Sequence, residues 1–336
     1  MIRPFTLRDI PLVHRLSEQG IVFHAESALT QDVRPLREAL VHMLIGGQFP
    51  TYVWKEDEGG GVGFAQLRQD EDESNAHIIC LGSKTSDMGA LDETVWLPFL
   101  EQLIEEAGRQ GIHSLIAEVS EIGEELPVLL QAGFAVYTRQ DVWIMNTPLV
   151  ESGLNGHHPA QLIQAESVDE WDIHLLYANT VPRLIQLVEP VPPNHLQDVW
   201  ILREKDELVA FVHFKDGSAA TWLRVYIHPN AQMRGDEILR LAVQIRPPRP
   251  EHPLYCCVRR YQSWVQTNLE KIGFEYLSSQ ALMVKHTVRH IRKPSPAVQE
   301  QVQTEGIPAR RHSFVGPQEP DSYRHTPSQN DEKDQK

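Results

Sequence analysis

The sequence predicts an α/β (α+β) protein with two tandem units, each a mixed, mostly antiparallel sheet flanked by helices, and a disordered C-terminal tail. Three observations support this fold class. The hydrophobic period alternates along the chain between two, typical of strands, and 3.6, typical of helices. The same order of segments occurs twice, and the composition changes abruptly near residue 291. A chain of 336 residues is also long enough for two hydrophobic cores.

The first unit begins with residues 5–19, which are typical of a strand end followed by an amphipathic helix. Residues 52–68 predict a strand, a turn and a strand, because Val62, Phe64 and Gln66 alternate with smaller or polar neighbours. A longer helix follows, and Gly111 provides its C-terminal stop. Its apolar stripe has helical spacing: Val95, Trp96, Phe99, Leu100, Leu103, Ile104 and Ala107.

The second unit repeats these elements in the same order. Residues 165–179 predict a strand end and a helix, and residues 198–215 predict a second strand–turn–strand. A helix comes next, and Pro247-Pro248 ends it because proline cannot continue a helix. Its apolar stripe consists of Ile238, Leu241, Ala242 and Ile245.

Both units close in the same way. A helix leads into Gly133-Phe134 in the first unit and into Gly273-Phe274 in the second, and a closing strand pair is expected after each turn. In this alignment Gln140 corresponds to Gln280. Several collinear matches of this kind indicate an internal repeat.

The predicted boundaries follow the composition. The first unit covers residues 1–148 and the second covers residues 160–291. Gly, Asn, Ser and flanking prolines predict a linker at 149–159, although its His157-His158 pair could also ligate a metal. Residues 292–336 are rich in Pro, Ser, Gln and charge, and predict a disordered tail.

Charge and cysteine content exclude several classes of protein. A formal net charge of −15 argues against a nucleic-acid partner or an anionic membrane. No apolar run is long enough to span a bilayer, and the N-terminus lacks the apolar segment of a signal peptide. The three cysteines form neither a disulfide framework nor a metal motif. We therefore expect a cytoplasmic protein with no metal site and no membrane partner.

The order of elements, the two Gly-Phe turns and the strand end at His228-Pro229 together resemble the GNAT superfamily of acyl-CoA-dependent N-acyltransferases. The resemblance covers residues 1 to about 290 as two copies. Tandem members such as mycothiol synthase have a similar layout. The resemblance implies acetyl-CoA as cofactor and a small-molecule or peptide amine as acceptor.

The resemblance also implies where acetyl-CoA would bind. In the family, the cofactor arm enters a gap beside the fourth strand, which places Val225 and Ile227 along it. A glycine-rich loop then holds the pyrophosphate at a helix N-terminus, where backbone N–H groups are free. Arg234 and Gly235 occupy this position, but Glu237 and Leu239 stand where glycines belong. We therefore expect weak binding, opposed by the charge of Glu237 and the bulk of Leu239. The first unit offers residues 83–93, which also lack the pattern.

The catalytic residues implied by the resemblance are incomplete. Many members use a tyrosine four residues before the Gly-Phe glycine as the acid, and here Leu129 and Leu269 take those positions. His228, at the end of the fourth strand, titrates in the range useful for a base. In the first copy, His77 and Glu118 are the corresponding candidates.

Two functions remain open from the sequence. The first is an N-acetyltransferase that binds acetyl-CoA, preferably in the second unit. The alternative is a catalytically inactive GNAT-like binding or scaffolding protein. The layout favours the first function, and the departures from the loop and acid patterns favour the second.

Overall fold

The structure is a computed structural model that describes residues 1–56, 61–69, 74–83, 93–147, 161–189, 191 and 196–287. The chain divides into a compact unit, Met1–His290, and a second unit, Ile291–Lys336, which lies outside the described residues. The predicted linker at 149–159, with His157-His158, and the predicted tail at 292–336 also lie outside them.

The first half of the compact unit contains seven strands and five helices within the described ranges. The strands are β1 (Ile2–Pro4), β2 (Ile21–Val22), β3 (Thr51–Lys55), β4 (Val62–Arg68), β5 (Asn75–Ser83), β6 (Ser114–Ser120) and β7 (Ala135–Met145). The helices are α1 (Ile10–Ser17), α2 (Ala25–Thr30), α3 (Pro35–Ile45), α4 (Glu93–Arg109) and α5 (Glu125–Gln131).

The second half repeats most of this order, and its described part has six strands and four helices. The strands are β8 (Ile163–Gln164), β9 (Val199–Glu204), β10 (Glu207–Asp216), β11 (Thr221–Ile227), β12 (Leu254–Arg259) and β13 (Glu275–His286). The helices are α6 (Glu170–Thr180), α7 (Arg183–Gln186), α8 (Gly235–Ile245) and α9 (Trp264–Ile272). The mixed fold class predicted from the sequence is confirmed.

All thirteen described strands belong to one sheet, in the order β1-β3-β4-β5-β6-β13-β7-β12-β11-β10-β9-β8, with β2 paired to β5. Neighbours are antiparallel except β5 with β6 and β11 with β12. The last strand, β13, therefore lies inside the first half, and β7 pairs with β12 of the second half. The prediction of a closing strand pair within each unit is wrong, because each half ends in one long strand that pairs across the molecule.

The exchange of strands also exchanges core side chains. Ala281 and Met283 of β13 pack into the first-half core beneath α4 and α5. Trp143 and Met145 of β7 pack into the second-half core beneath α8 and α9. The division into domains 1–148 and 160–291 stays a prediction, since the sheet runs through both without a break.

Two glutamines face each other at the centre of the sheet. Gln140 of β7 lies directly opposite Gln280 of β13 in the antiparallel register, and their side-chain amides are joined by a 2.6 Å hydrogen bond. The sequence alignment made these two glutamines equivalent.

The two Gly-Phe turns have the same geometry. Gly133 has φ of 82° and Gly273 has φ of 94°, the left-handed region that glycine adopts at helix C-termini. The N–H of Phe134 donates to the Leu129 carbonyl at 3.0 Å, and that of Phe274 donates to Leu269 at 3.0 Å. The predicted equivalence of these turns is confirmed.

The predicted apolar stripes face the core. In α4, Trp96, Phe99, Leu100 and Leu103 are buried, and in α8, Ile238 and Ala242 are buried. Helix α8 ends at Ile245, just before the proline pair, as expected. Among the described residues, none of the helices combines the length and the apolarity that a membrane crossing needs.

Candidate active site

Each half contains one pair of parallel strands that separate partway along their length. In the first half, β5 pairs with β6 from Asn75–Ser114 to His77–Ile116. In the second half, β11 pairs with β12 from Thr221–Leu254 to Arg224–Cys257. Beyond these registers the strands diverge, and backbone N–H and C=O groups along the inner edges need other partners. We call these openings the first cleft and the second cleft.

The first cleft is filled by the chain itself. The N–H of Phe23 donates to the Ile79 carbonyl at 2.9 Å, and the N–H of Glu118 donates to the Phe23 carbonyl at 2.8 Å. Phe23 thus connects β5 to β6 through its backbone, and its side chain is buried in the core. A ligand that paired with these strand edges would first have to displace Phe23.

The second cleft has no such insert within the described residues. Val225, Tyr226 and Ile227 pair with β10 on the outer side of β11, and no backbone bond joins them to β12 in the part of the chain that the structure describes. Backbone groups alternate in direction along a strand, so part of this edge faces the cleft. The side chains of Val225 and Ile227 lie in the second-half core, so only their backbones are available to a ligand.

His228 lies directly after β11, at the end of the second cleft. Its side chain is half-buried, and its Nδ1 accepts a hydrogen bond from the Asn230 N–H at 3.2 Å. The neutral ring therefore has its lone pair on Nδ1 and its proton on Nε2. A groove of about 540 Å³ opens beside it, with Asp172, Glu204, Asp206 and Glu207 along its wall.

Arg234 lies just before α8, as predicted, but its charge is already neutralised. Its guanidinium donates to the Glu237 carboxylate at 2.8 Å and to the Glu204 carboxylate. The strand–turn–helix arrangement is therefore present, while its cation is engaged by two acids. An incoming phosphate would compete with both carboxylates for the same donors.

Gly235 and Leu239 have roles that the sequence did not indicate. A Cβ at Gly235 would lie 2.5 Å from Asn268 Nδ2 and 2.9 Å from the Trp264 ring, so this glycine permits close packing of α8 on α9. Leu239 is fully buried in the second-half core. The expectation that Leu239 obstructs a phosphate by its bulk is wrong, because its side chain faces the sheet.

A buried polar cluster lies near the centre of the sheet, and sequence reasoning missed most of it. Arg259 of β12 donates to Glu189 at 2.7 and 2.8 Å and to Gln140. Tyr137 donates to Glu189 at 2.7 Å. Burial raises the pKa of Glu189, but the cations Arg259 and Arg224 outweigh it and hold the pKa below its ordinary value. No spacing joins these residues, since Glu189 and Arg259 are 70 positions apart.

The two first-half candidates, His77 and Glu118, come together with His24, which the sequence did not single out. Their ligating atoms lie within 4.8 Å of one another. Burial lowers the pKa of His77 to about 3 and raises the pKa of Glu118.

Leu129 and Leu269, which occupy the positions of the family's acid, are both buried in the hydrophobic cores. Neither side chain can donate a proton, so neither can serve as an acid.

Solved structures resemble this arrangement. A GCN5-related N-acetyltransferase from Sphaerobacter thermophilus matches 85% of this chain and 95% of its own, with 14% identity and a TM-score of 0.51. A glucosamine N-acetyltransferase region of a fungal multi-domain GH3 β-N-acetylglucosaminidase matches 85% of this chain and 38% of its own, with 11% identity and a TM-score of 0.53. This chain has the GNAT fold. No protein-family model and no curated protein matches the sequence.

Both halves of this chain contain a pair of parallel strands that diverge, β5 with β6 and β11 with β12. The identities are low, so these matches establish the fold and leave the chemistry to the residues. In this chain one cleft is filled and the other lacks a described backbone insert. The two halves therefore differ in the part of the fold where the resemblance implies a cofactor.

Proposed function

We propose that this protein is an N-acetyltransferase that binds acetyl-CoA in the second cleft and transfers the acetyl group to an amine. The observation that carries the proposal is the divergence of β11 from β12 after Arg224 and Cys257, with no described backbone insert between them. An amide-rich cofactor arm pairs with such an edge as a further strand would. The first cleft is unsuitable because Phe23 already makes those hydrogen bonds.

The proposed sites follow the second cleft. The backbones of Val225 and Ile227 would bind the arm, and Arg234 with the first N–H groups of α8, at Gly235, would receive the pyrophosphate. The ion pairs of Arg234 with Glu204 and Glu237 support weak binding, because a phosphate must replace them. We therefore propose that acetyl-CoA binds weakly in the second cleft.

His228 is the proposed general base. In the transfer, the neutral amine nitrogen would form a bond to the thioester carbon, the C–S bond would break with its electron pair leaving on the CoA sulfur, and the amine proton would pass to a base that can return it to the thiolate. The lone pair on Nδ1 of His228 accepts a hydrogen bond from the Asn230 N–H at 3.2 Å. To act as the base, His228 Nδ1 would give up the hydrogen bond from Asn230 and take the proton of the amine that receives the acetyl group.

The groove beside His228 supports an amine as acceptor. Its wall has four carboxylates, those of Asp172, Glu204, Asp206 and Glu207, and one lysine, Lys205. Asp172 is paired with Arg203 and Glu204 with Arg234, so the remaining negative charge comes from Asp206 and Glu207. Negative potential concentrates cations and repels anions. A positively charged small molecule or peptide amine therefore fits this groove better than an acidic acceptor.

Hydrogen–deuterium exchange with and without saturating acetyl-CoA tests the proposal. We expect protection of peptides covering 222–228 and 257–260, and no change at 78–83 and 116–119, which serve as the matched control in the same chain. Protection confined to the first cleft, or no protection anywhere, would overturn the assignment. The second outcome would favour the catalytically inactive alternative.

A further inference from the structure

Three potential metal-ligating side chains meet near the first cleft, each from a different segment. His24 precedes α2, His77 lies on β5, and Glu118 lies on β6. One ligand atom from each lies within 4.8 Å of the others. We propose that His24, His77 and Glu118 form a binding site for a divalent transition-metal ion of the zinc type.

The donor set fits this class of metal. Imidazole nitrogen and carboxylate oxygen are ordinary zinc ligands, and three protein ligands leave a fourth position for water. Bonds of about 2.0–2.2 Å in a tetrahedral site place ligand atoms roughly 3.4 Å apart. The three side chains would therefore close inward by about an ångström, which small rotamer changes provide. Magnesium and calcium prefer all-oxygen sites and are not expected to bind.

Two of the three ligands are held in the neutral form that a metal requires, whereas burial raises the pKa of Glu118, so metal binding there would have to release a proton. Imidazole must be neutral to ligate. Burial and nearby cations lower the pKa of His24, and they lower that of His77 to about 3. His77 Nδ1 is buried and lacks a hydrogen-bond partner among the described residues. A metal ion would satisfy this nitrogen, which the described protein groups leave unsatisfied.

Two of the ligands are already oriented by other groups. His24 Nδ1 lies 2.8 Å from Ser27 Oγ, and Glu118 Oε2 accepts from the Ala25 N–H at 2.8 Å. His24 Nδ1 also accepts from the Ser27 N–H at 3.1 Å, so the neutral ring has its proton on Nε2 when no metal is bound. A metal on Nε2 would displace that proton to Nδ1, which would give up the bond from the Ser27 N–H and donate to Ser27 Oγ instead. These outer partners orient the two ligands.

Positive charges outnumber negative ones around the site, because Arg68, Lys215 and Arg224 face the carboxylates of Glu26 and Glu118. Lys215 lies 2.5 Å from Glu26, and Arg224 lies 3.8 Å from the same carboxylate. These cations oppose a metal dication, while the carboxylates of Glu26 and Glu118 attract it. The site therefore depends on its nitrogen ligands, which favours zinc, cobalt or nickel over harder ions.

The location gives the ion a structural consequence. His24 directly follows Phe23, whose backbone joins β5 to β6 across the first cleft. Coordination by His24, His77 and Glu118 would tie this segment to both strands. The metal would hold the first cleft closed, independently of any acetyl-CoA in the second cleft.

The test uses the full chain, stripped with a chelator and titrated with Zn²⁺ by calorimetry and with Co²⁺ by absorption spectroscopy. We expect one tight Zn²⁺ per chain, intense visible absorption from a four-coordinate Co²⁺ site, and a rise in melting temperature with Zn²⁺. His77→Ala and Glu118→Gln should abolish the Co²⁺ spectrum. Ser27→Ala should weaken binding by roughly tenfold, the size expected for an outer partner.

Two controls separate this site from incidental histidine binding. His213→Ala removes a neighbouring histidine on β10, and His157→Ala with His158→Ala removes an adjacent histidine pair; both should leave the spectrum unchanged. Circular dichroism of each stripped variant shows whether it folds, and Glu118→Gln keeps the test valid if His77→Ala does not. The proposal is overturned if the stripped protein takes up no Zn²⁺, or if the 157/158 variant alone loses the signal.

Discussion

At the scale of single residues, the ion pairs of Arg234 affect how strongly an anion would bind at the N-terminus of α8. Arg234 donates to Glu237 at 2.8 Å and also to Glu204. Acidic residues in a first helical turn are stabilising because of the helix dipole, so Glu237 has a structural reason to be present. The same carboxylate opposes a phosphate at the same place.

Removing one of these acids should therefore strengthen acetyl-CoA binding. We expect Glu237→Gln to tighten it about three- to tenfold, the effect of roughly 1 kcal/mol of relieved repulsion. Arg234→Ala should weaken it by a similar factor. Calorimetric titration measures both, and Glu270→Gln, at an exposed acid on α9, is the control. Weaker binding by Glu237→Gln would mean that the carboxylate belongs to a working site.

Asp9 in the first half and Asp169 in the second half make the same local hydrogen bonds, each accepting from a backbone N–H three residues earlier and from an arginine. Asp9 accepts from the Thr6 N–H at 3.0 Å and from Arg3. Asp169 accepts from the Glu166 N–H at 2.9 Å and from Arg203 at 2.6 Å. For Asp9, burial raises the pKa, but the hydrogen bonds from Arg3 and Thr6 outweigh it and lower the pKa to about 2.

This lowered pKa makes a pH-dependent contribution to stability. The folded-state pKa lies below the unfolded value, so the contribution is present above pH 4 and is lost as the pH falls through 2. We expect Asp9→Asn to lower the free energy of unfolding by about 2 kcal/mol at pH 7 and by about half as much at pH 3. Urea unfolding at both pH values measures it. An equal loss at both would contradict the ionic origin.

At the scale of elements, the packing of α8 on α9 depends on Gly235. A methyl group there would lie 2.5 Å from Asn268 Nδ2 and 2.9 Å from Trp264. The helical φ of −57° is open to any residue, so the requirement is steric and does not come from the backbone. Gly235 lies in the loop where the resemblance implies glycines, but here its small size is needed for the packing of α8 against Asn268 and Trp264.

Gly235→Ala should destabilise the protein by about 1–3 kcal/mol through overpacking, despite the better helix propensity of alanine. Asn268→Ala should recover part of this loss because it removes the nearest atom. A double-mutant cycle by urea unfolding measures the coupling. Additive effects of the two changes would show that the helices do not meet as described.

At the scale of the whole molecule, the strand exchange joins the two halves into one sheet. β13 lies between β6 and β7, and its Ala281 and Met283 belong to the first-half core. Without β13, both neighbouring strands lose their pairing partner on that side and the core loses buried surface. Neither half has a complete sheet by itself.

Two truncations test this arrangement. A chain ending after Phe274 should lose cooperative unfolding altogether. A chain ending at residue 291 should keep its melting temperature, because the sequence predicts disorder beyond that point. Differential scanning calorimetry distinguishes them. A cooperative transition in the shorter chain would show that the halves fold independently.

Part of the site could be predicted from the sequence because it depends on local pattern. Arg234, Gly235 and His228 lie at a strand end and a helix start, which periodicity and proline positions indicate. The Arg234 ion pair with Glu204 joins residues 30 positions apart and could not be predicted. The same holds for Phe23, whose short segment has no period that would indicate an insert between two strands.

The sequence by itself predicted the repeat, the element types, the Gly-Phe turns and the correspondence of Gln140 to Gln280 between the copies, because each depends on short-range pattern or on one copy matching the other. Only the tertiary structure decided which strands pair across the repeat, which cleft the chain fills, and that His24 joins His77 and Glu118. Strand order depends on contacts between distant segments. A final strand with the same alternating pattern fits either half, so its place is fixed by the cores that it completes.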